Sequence, residues 1–446
     1  MPGALASAFG WLAFVAIPSL GIAQEVERQL TFDEALDVAM HRNVDLRIAE
    51  ANEAAAAAGA SSASAFLWPQ VVFSSGLVRS NDPVFAFGTK LRQGVFGEPD
   101  FAIDELNDPD PLTNWTAGID VRWEILAPTR WAQRSVAREQ ANASTWGMVR
   151  RRETIRLHTR TLYLDALTAE GRHAAARATE RAARATLERF ERRKARGMLT
   201  EADRLQAEAE FEMARAGSID ASRREREARQ ALGAFLGWSV DSLPVPSETL
   251  SAPADLTPSD FDPTRRADIL ALGSAVRATH ASGRGAMLAY VPALEAFGNV
   301  KSHADEVFES DSDDWSVGVA LRWTAFGGLQ RKAELDRARA AELIARLQFE
   351  HATREALREV DAAKHAVDAA RAGYEASLAA RVAVEDATRL IQRRFEEGLA
   401  TPDELLQAEA RLATIRSRAV DALAAWNLAV AHVEFVRATV NGEEVP

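Results

Sequence analysis

Two periodicities alternate along this chain, and each occurs twice. In WTAGIDVRWEIL, Trp115, Ala117, Ile119, Val121, Trp123 and Ile125 alternate with Thr116, Gly118, Asp120, Arg122 and Glu124. A period of two gives a β-strand one apolar and one polar face. WSVGVALRWTAF repeats the pattern, with Trp315, Val317, Val319, Leu321 and Trp323 against Ser316, Gly318, Ala320, Arg322 and Thr324. A less regular strand precedes each copy, so four strands are predicted, near 68–80, 115–126, 290–301 and 315–326. From about 130 to 196 and from 330 to 397 the period becomes helical, and each segment of ~65 residues would extend ~100 Å at 1.5 Å per residue. Met148, Ile155, Leu162, Ala169, Ala176, Ala183 and Phe190 recur every seven residues. A shift of 201 carries them onto Phe349, Ala356, Ala363, Ala370, Ser377, Val384 and Ile391. The last helix has a similar seam at Leu405, Leu412, Ala419, Trp426, Val433 and Val440, and a second at Ala408, Ile415, Ala422, Ala429 and Val436. A sustained seven-residue period predicts left-handed supercoiling, and alanine at the seam lets backbones approach closely.

The chain is therefore an internal duplication. HRNVDLRIA at His41 matches RRADILALG at Arg265, and LWPQVVF at Leu67 matches YVPALEAF at Tyr290, both at an offset of 223. At the Trp-bearing strands the offset falls to 200, so the first copy carries 23 extra residues between Pro69 and Trp115. The expected organisation is a leader over 1–23, a first repeat over 24–238, a Pro/Ser-rich linker over 239–263 and a second repeat over 264–446.

RGMLTEADRLQAEAE, from Arg196, recurs as EGLATPDELLQAEAR, from Glu397. Gly197 and Gly398 stand where a long helix must stop, and glycine takes the left-handed C-cap conformation at little cost. Thr200 and Thr401 then read as N-caps, Asp203 and Glu404 as their capping-box partners, and Pro402 as the first helical residue. The phrase encodes a tight turn between antiparallel helices, with tips near 197–200 and 398–402.

Composition narrows the class. A net charge of -12 argues against nucleic-acid binding, and with no cysteine there can be no disulfide, thiolate metal site or lipid-attachment cysteine. MPGALASAFGWLAFVAIPSLGIAQE reads as an export signal cut near Ala23, although no Lys or Arg precedes Arg28. Beyond it, no apolar stretch is expected to reach the ~20 residues of a membrane-spanning helix. The eight histidines are scattered, and neither a phosphate loop nor G-x-S-x-G occurs, so no enzyme, metal site or cofactor is expected.

Four strands cannot close a barrel, and lipid does not tolerate an open sheet edge. If the strands cross a membrane, the chains must associate, and three copies would give twelve strands around a passage. Trp115 and Trp123, like Trp315 and Trp323, are eight residues apart on one strand face, or ~26 Å along the strand, which fits two aromatic girdles. A soluble sheet with Trp in its core is the competing reading.

The duplicated W-x-x-G-x-x-x-R-W strands, the G-x-x-T-x-x-[DE] tips, RRADILAL and FAFGTKLRQGVF (Phe85 to Phe96) together resemble the TolC-like outer-membrane efflux protein family. The resemblance implies a mainly α channel-tunnel: a homotrimer with a twelve-stranded β-barrel in the outer membrane of a Gram-negative bacterium and an α-helical coiled-coil barrel reaching into the periplasm. It also implies docking, through the tips, to a periplasmic adaptor and an inner-membrane pump such as an RND or ABC transporter. Acidic residues after the tips line the periplasmic entrance in that family, and the matching positions are Asp203 and Glu404. Gln407 stands where a second acidic ring can occur. Phe85, Phe87, Phe96 and Phe101 could fold the first outer loop over the pore. Two other classes remain open, a periplasmic adaptor and a coiled-coil scaffold without a pore.

Overall fold

The computed structural model describes residues 26–239, 242–254, 261–310 and 312–440, so the expected leader lies outside the described residues. In chain order the strands and α-helices are β1 (Val26–Leu30), α1 (Phe32–Arg42), α2 (Val44–Ser62), β2 (Gln70–Ser80), α3 (Pro83–Arg92), α4 (Ile103–Asn107), β3 (Leu112–Leu126), α5 (Pro128–Ala195), α6 (Glu201–Phe235), β4 (Ser242–Pro246), α7 (Ala267–Leu288), β5 (Ala293–Ala304), β6 (Ser312–Arg322), α8 (Gln330–Glu396) and α9 (Pro402–Arg437). They fall into two compact units. Among the described residues, the first gathers those in 26–39, 159–251 and 377–424, and the second those in 40–158, 252–376 and 425–440.

The second unit contains a four-stranded antiparallel sheet in the order β2-β3-β5-β6. Its register puts Phe73, Ile119 and Val300 side by side on one face, with Trp115, Trp315 and Val317 on the same face. In the protomer this face is open: Trp315 is 74% and Val317 75% exposed. The opposite face is polar, with Asn299 donating to Ser316 at 2.8 Å and His303 beside Asp314 at 3.0 Å. Both glycines of the duplicated strand phrase lie under a β5 side chain. A Cβ at Gly118 would sit 2.8 Å from Lys301 Cγ, and one at Gly318 only 2.6 Å from Phe297 Cζ. β2 and β6 each have one neighbour among the described residues, so each leaves an edge of unpaired backbone groups.

Three expectations need correction. The fourth strand ends at Arg322 instead of near 326, because Arg322 pairs with Ala293 and the preceding Pro292 has no N–H to extend the ladder. Trp323 therefore lies just past the strand. The segment expected to be only a linker contains β4, which pairs in parallel with β1, and Pro244 is tolerated because each strand has a free side. Finally, α9 includes an 18-residue window of mean hydropathy 1.3, long and apolar enough to cross a membrane by length and composition. Its alanine-rich seam produces that value. The part of α9 within the second unit uses the apolar residues for packing, with Trp426, Val433 and Val436 buried and Tyr374 against Trp426 at 5.7 Å.

The 23 additional residues of the first repeat fall in a segment holding α3 and α4. Asp82 caps α3 by accepting from Phe85 N, and Phe96 packs edge-on against both Phe87 (4.9 Å) and Phe101 (5.1 Å). The Lys90–Asp100 ion pair, at 2.7 Å, braces the same segment. The seven-residue seams coincide with burial at Ile155, Ala169 and Phe190 on α5 and at Leu405, Ala419 and Val433 on α9.

In the first unit, Tyr163 on α5 donates its hydroxyl to Leu30 O at 3.0 Å and packs edge-on against Phe32. Burial pushes the phenol up to about 12, so it remains a neutral donor. Ser247 N also donates to Leu30 O, which therefore keeps one partner if the hydroxyl is lost. Tyr163→Phe is expected to destabilise the purified protein by about 1 kcal/mol, read as a lower denaturation midpoint with unchanged helix content.

Candidate functional site

The two hairpin tips belong to the first unit and are built alike. Gly197 has φ +71° and Gly398 φ +77°, in the left-handed region. At the first tip, Gly197 N donates to Lys194 O (2.8 Å) and Met198 N to Arg193 O (3.0 Å); at the second, Gly398 N donates to Phe395 O (3.1 Å) and Leu399 N to Arg394 O (2.7 Å). This pair of bonds satisfies the last carbonyls of α5 and of α8. The next helix is capped reciprocally in both copies. Asp203 N donates to Thr200 Oγ1 (3.2 Å) while Thr200 N donates to Asp203 Oδ2 (2.8 Å). Glu404 N donates to Thr401 Oγ1 (3.2 Å) while Thr401 N donates to Glu404 Oε2 (2.9 Å), with Pro402 as the first residue of α9.

Beyond the caps the tips diverge. At the first, Glu201 bridges Lys194 on the preceding helix and Arg204 on its own, and Arg204 also reaches Glu208 at 3.0 Å. The hydrogen bonds from Arg204 and then Lys194 hold the Glu201 carboxyl down at about 2. At the second tip Pro402 occupies the equivalent of Glu201, and Gln407 donates to Asp403 Oδ2 at 2.7 Å.

A packed cluster joins the two hairpins. Phe190 stacks on Phe395 with ring centroids 5.2 Å apart, and Ala207, Leu405 and Leu406 complete the buried cluster. Arg193 lies over the Phe395 ring at 4.5 Å and donates to Glu396 O, tying the end of α5 to the end of α8. Sequence reasoning identified Phe190 as a seam residue but missed Phe395 and Arg193. Phe395 lies four residues after Ile391, the step that separates Ala408 from Leu412, so applying to α8 the alternating three- and four-residue spacing of the two seams in α9 would have found it.

The girdle candidates share a second feature. Trp123 Nε1 donates to Leu67 O (3.2 Å), and Trp323 Nε1 donates to Tyr290 O (3.1 Å). Leu67 and Tyr290 are equivalent in the two repeats. Trp115 Nε1 donates to Ser75 Oγ at 3.0 Å, and Trp315 stands exposed on β6. A ring that faces outward while its N–H is satisfied suits the boundary between lipid and water. No cluster of three or more His, Cys, Asp or Glu able to hold a metal occurs among the described residues.

The model for the outer membrane efflux protein family matches residues 35–238 and 264–436. The chain belongs to that family. Outer membrane protein OprJ of Pseudomonas aeruginosa is 29% identical over 219 residues, a segment covering 47% of this chain and 46% of that protein. The match thus spans about half the length of that curated relative. Among solved structures, a membrane protein from Pseudomonas aeruginosa aligns with a TM-score of 0.79 at 22% identity, covering 91% of this chain and 93% of its own. The outer membrane protein VceC from Vibrio cholerae aligns with a TM-score of 0.76 at 20% identity, covering 92% and 97%. The fold is that of a TolC-like channel-tunnel, and the location of this efflux-family protein is the outer membrane.

Two substitutions separate packing from capping at the tips of this family member. Phe395→Ala removes a fully buried ring and is expected to cost about 3 kcal/mol locally, seen as faster proteolysis and hydrogen exchange over 187–207 and 391–406. Thr401→Ala removes one cap partner and is expected to cost about 1 kcal/mol, with faster exchange confined to the first turn of α9.

Proposed function

We propose that three copies of this chain form the exit duct of a tripartite efflux or one-step secretion system. Substrate would pass through it from an inner-membrane pump and a periplasmic adaptor to the exterior. The observation carrying this reading is the four-stranded sheet, apolar on one face, polar on the other and, among the described residues, unpaired at both edges. Joined edge to edge, three such sheets form a twelve-stranded barrel with lipid outside and water within. An adaptor or a coiled-coil scaffold has no use for that surface or for a duplicated set of Trp-bearing strands.

The tips form the periplasmic entrance in this proposal. Gly197, Thr200, Gly398, Thr401 and Pro402 shape the turns that meet the adaptor, and Met198 and Leu399 expose apolar side chains beside them. Asp203 and Glu404 line the opening while capping their helices. The caps occupy Asp203 Oδ2 and Glu404 Oε2, leaving one oxygen of each carboxylate for water or a passing ion. Gln407 takes the place of a second acidic ring, so one ring of charge sets the field at the opening. A threefold ring of carboxylates at a narrow water-filled constriction favours cations, most strongly at low ionic strength. The cargo is chosen chiefly by the pump.

Planar-bilayer conductance tests the reading. The purified protein is expected to form discrete cation-selective channels, whereas Asp203→Asn with Glu404→Gln, which keeps a capping oxygen at each site, lowers the cation preference several-fold at low salt. Absence of conductance from correctly folded protein would count against the duct. Unchanged selectivity in the double variant would assign those carboxylates to capping alone.

A further inference from the structure

Above the second tip, in the first unit, a half-buried carboxyl group sits in a seam walled largely by alanines, with Thr179, Glu210, Gln392 and Arg416 among them. Glu409 is two turns into α9 and lines a cavity of about 240 Å³ with Ala182, Ala183, Ala207, Leu406 and Ala410. Thr186 on α5 donates to Glu409 Oε1 at 2.7 Å, and Gln392 on α8 donates to the same oxygen at 3.4 Å. Oε2 accepts no hydrogen bond among the described residues. Other charged groups face the site from each adjoining helix. Arg189 on α5 has a buried Nη1 without a partner, and Glu210 on α6 lines the cavity. Arg416 on α9 also lines it and is held by Glu385 of α8 at 3.2 Å.

The electrostatics oppose one another. Burial penalises the charged carboxylate and raises its proton affinity, while the donors from Thr186 and Gln392 and the field of Arg189 lower it. Burial dominates, so Glu409 holds its proton to a higher pH than an ordinary glutamic acid does. For an acid shifted in this direction, the added stability is present in acid and is lost as the pH rises through the folded-state titration. We propose that Glu409 is a proton-operated latch between α9 and the long helices α5 and α8, closing their seam when neutral and loosening it when ionised. In the neutral state the cavity holds no net charge from Glu409, and the alanine walls stay packed. In the ionised state, Oε2 draws water into the cavity or recruits the Arg189 guanidinium, and either one loosens the contacts along the seam. The latch acts on helix packing and does not depend on the duct reading.

Hydrogen exchange on the full-length protein in detergent, corrected for intrinsic rates at each pH, tests the latch over residues 405–416. In the parent protein, protection is expected to rise several-fold as the pH falls, following a single titration. Glu409→Gln, which mimics the protonated state, should hold the protected level at every pH. Thr186→Val removes a donor that favours the charged form, so it should move the midpoint to higher pH. Retained pH dependence in a folded Glu409→Gln protein, or a midpoint that stays in place or moves down in Thr186→Val, would overturn the proposal. If Glu409→Gln does not fold, the Thr186→Val midpoint alone decides the matter. Conductance measured on the same samples reports separately on the duct.

Discussion

An unpaired backbone edge is the constraint from which the rest of the structure follows. β2 and β6 each present a row of N–H and C=O groups with no partner among the described residues, beside a face that exposes Trp315, Val317 and Phe73. In water such a surface invites aggregation, and in lipid each unsatisfied group costs several kcal/mol. The chain cannot relieve that cost alone, because its two repeats supply only four strands to this sheet among the described residues. In the proposed trimer, neighbouring copies satisfy the edges, and the alternation of apolar and polar positions then separates lipid from water.

The duplication also determines the helical hairpins. Two copies of a long helical hairpin give two tips, closed by the same glycine and capped by the same threonine and carboxylate. Their differences matter as much as their likeness. Ion pairs centred on Glu201 brace the first tip, whereas a proline starts the second, and the Phe190–Phe395 stack holds the two hairpins together. Asp203 and Glu404 can cap and line an entrance at once, because capping engages only one carboxylate oxygen of each.

Much of this was legible in the residue pattern because both periods are strong and occur twice. The strand alternation around Trp115 and Trp315, the seven-residue seams and the caps at Thr200 and Thr401 all depend on local spacing. Features that depend on distant partners were not legible. β4 hid in a Pro-rich segment because its partner, β1, lies more than two hundred residues earlier. The end of β6 is set by Pro292, just before its partner strand β5, and the hydrogen bonds of Trp123 and Trp323 reach carbonyls far away in the chain. Glu409 looks in sequence like one more carboxylate on a charged helix, and only the residues that pack around it reveal its partial burial.

The central claim is that this sheet closes only in company. The most direct measurement is the mass of the protein extracted from outer membranes in mild detergent, corrected for bound detergent. Three copies per particle are predicted, with dissociation on heating. A monodisperse single chain that stays folded and soluble after the detergent is removed would contradict the account.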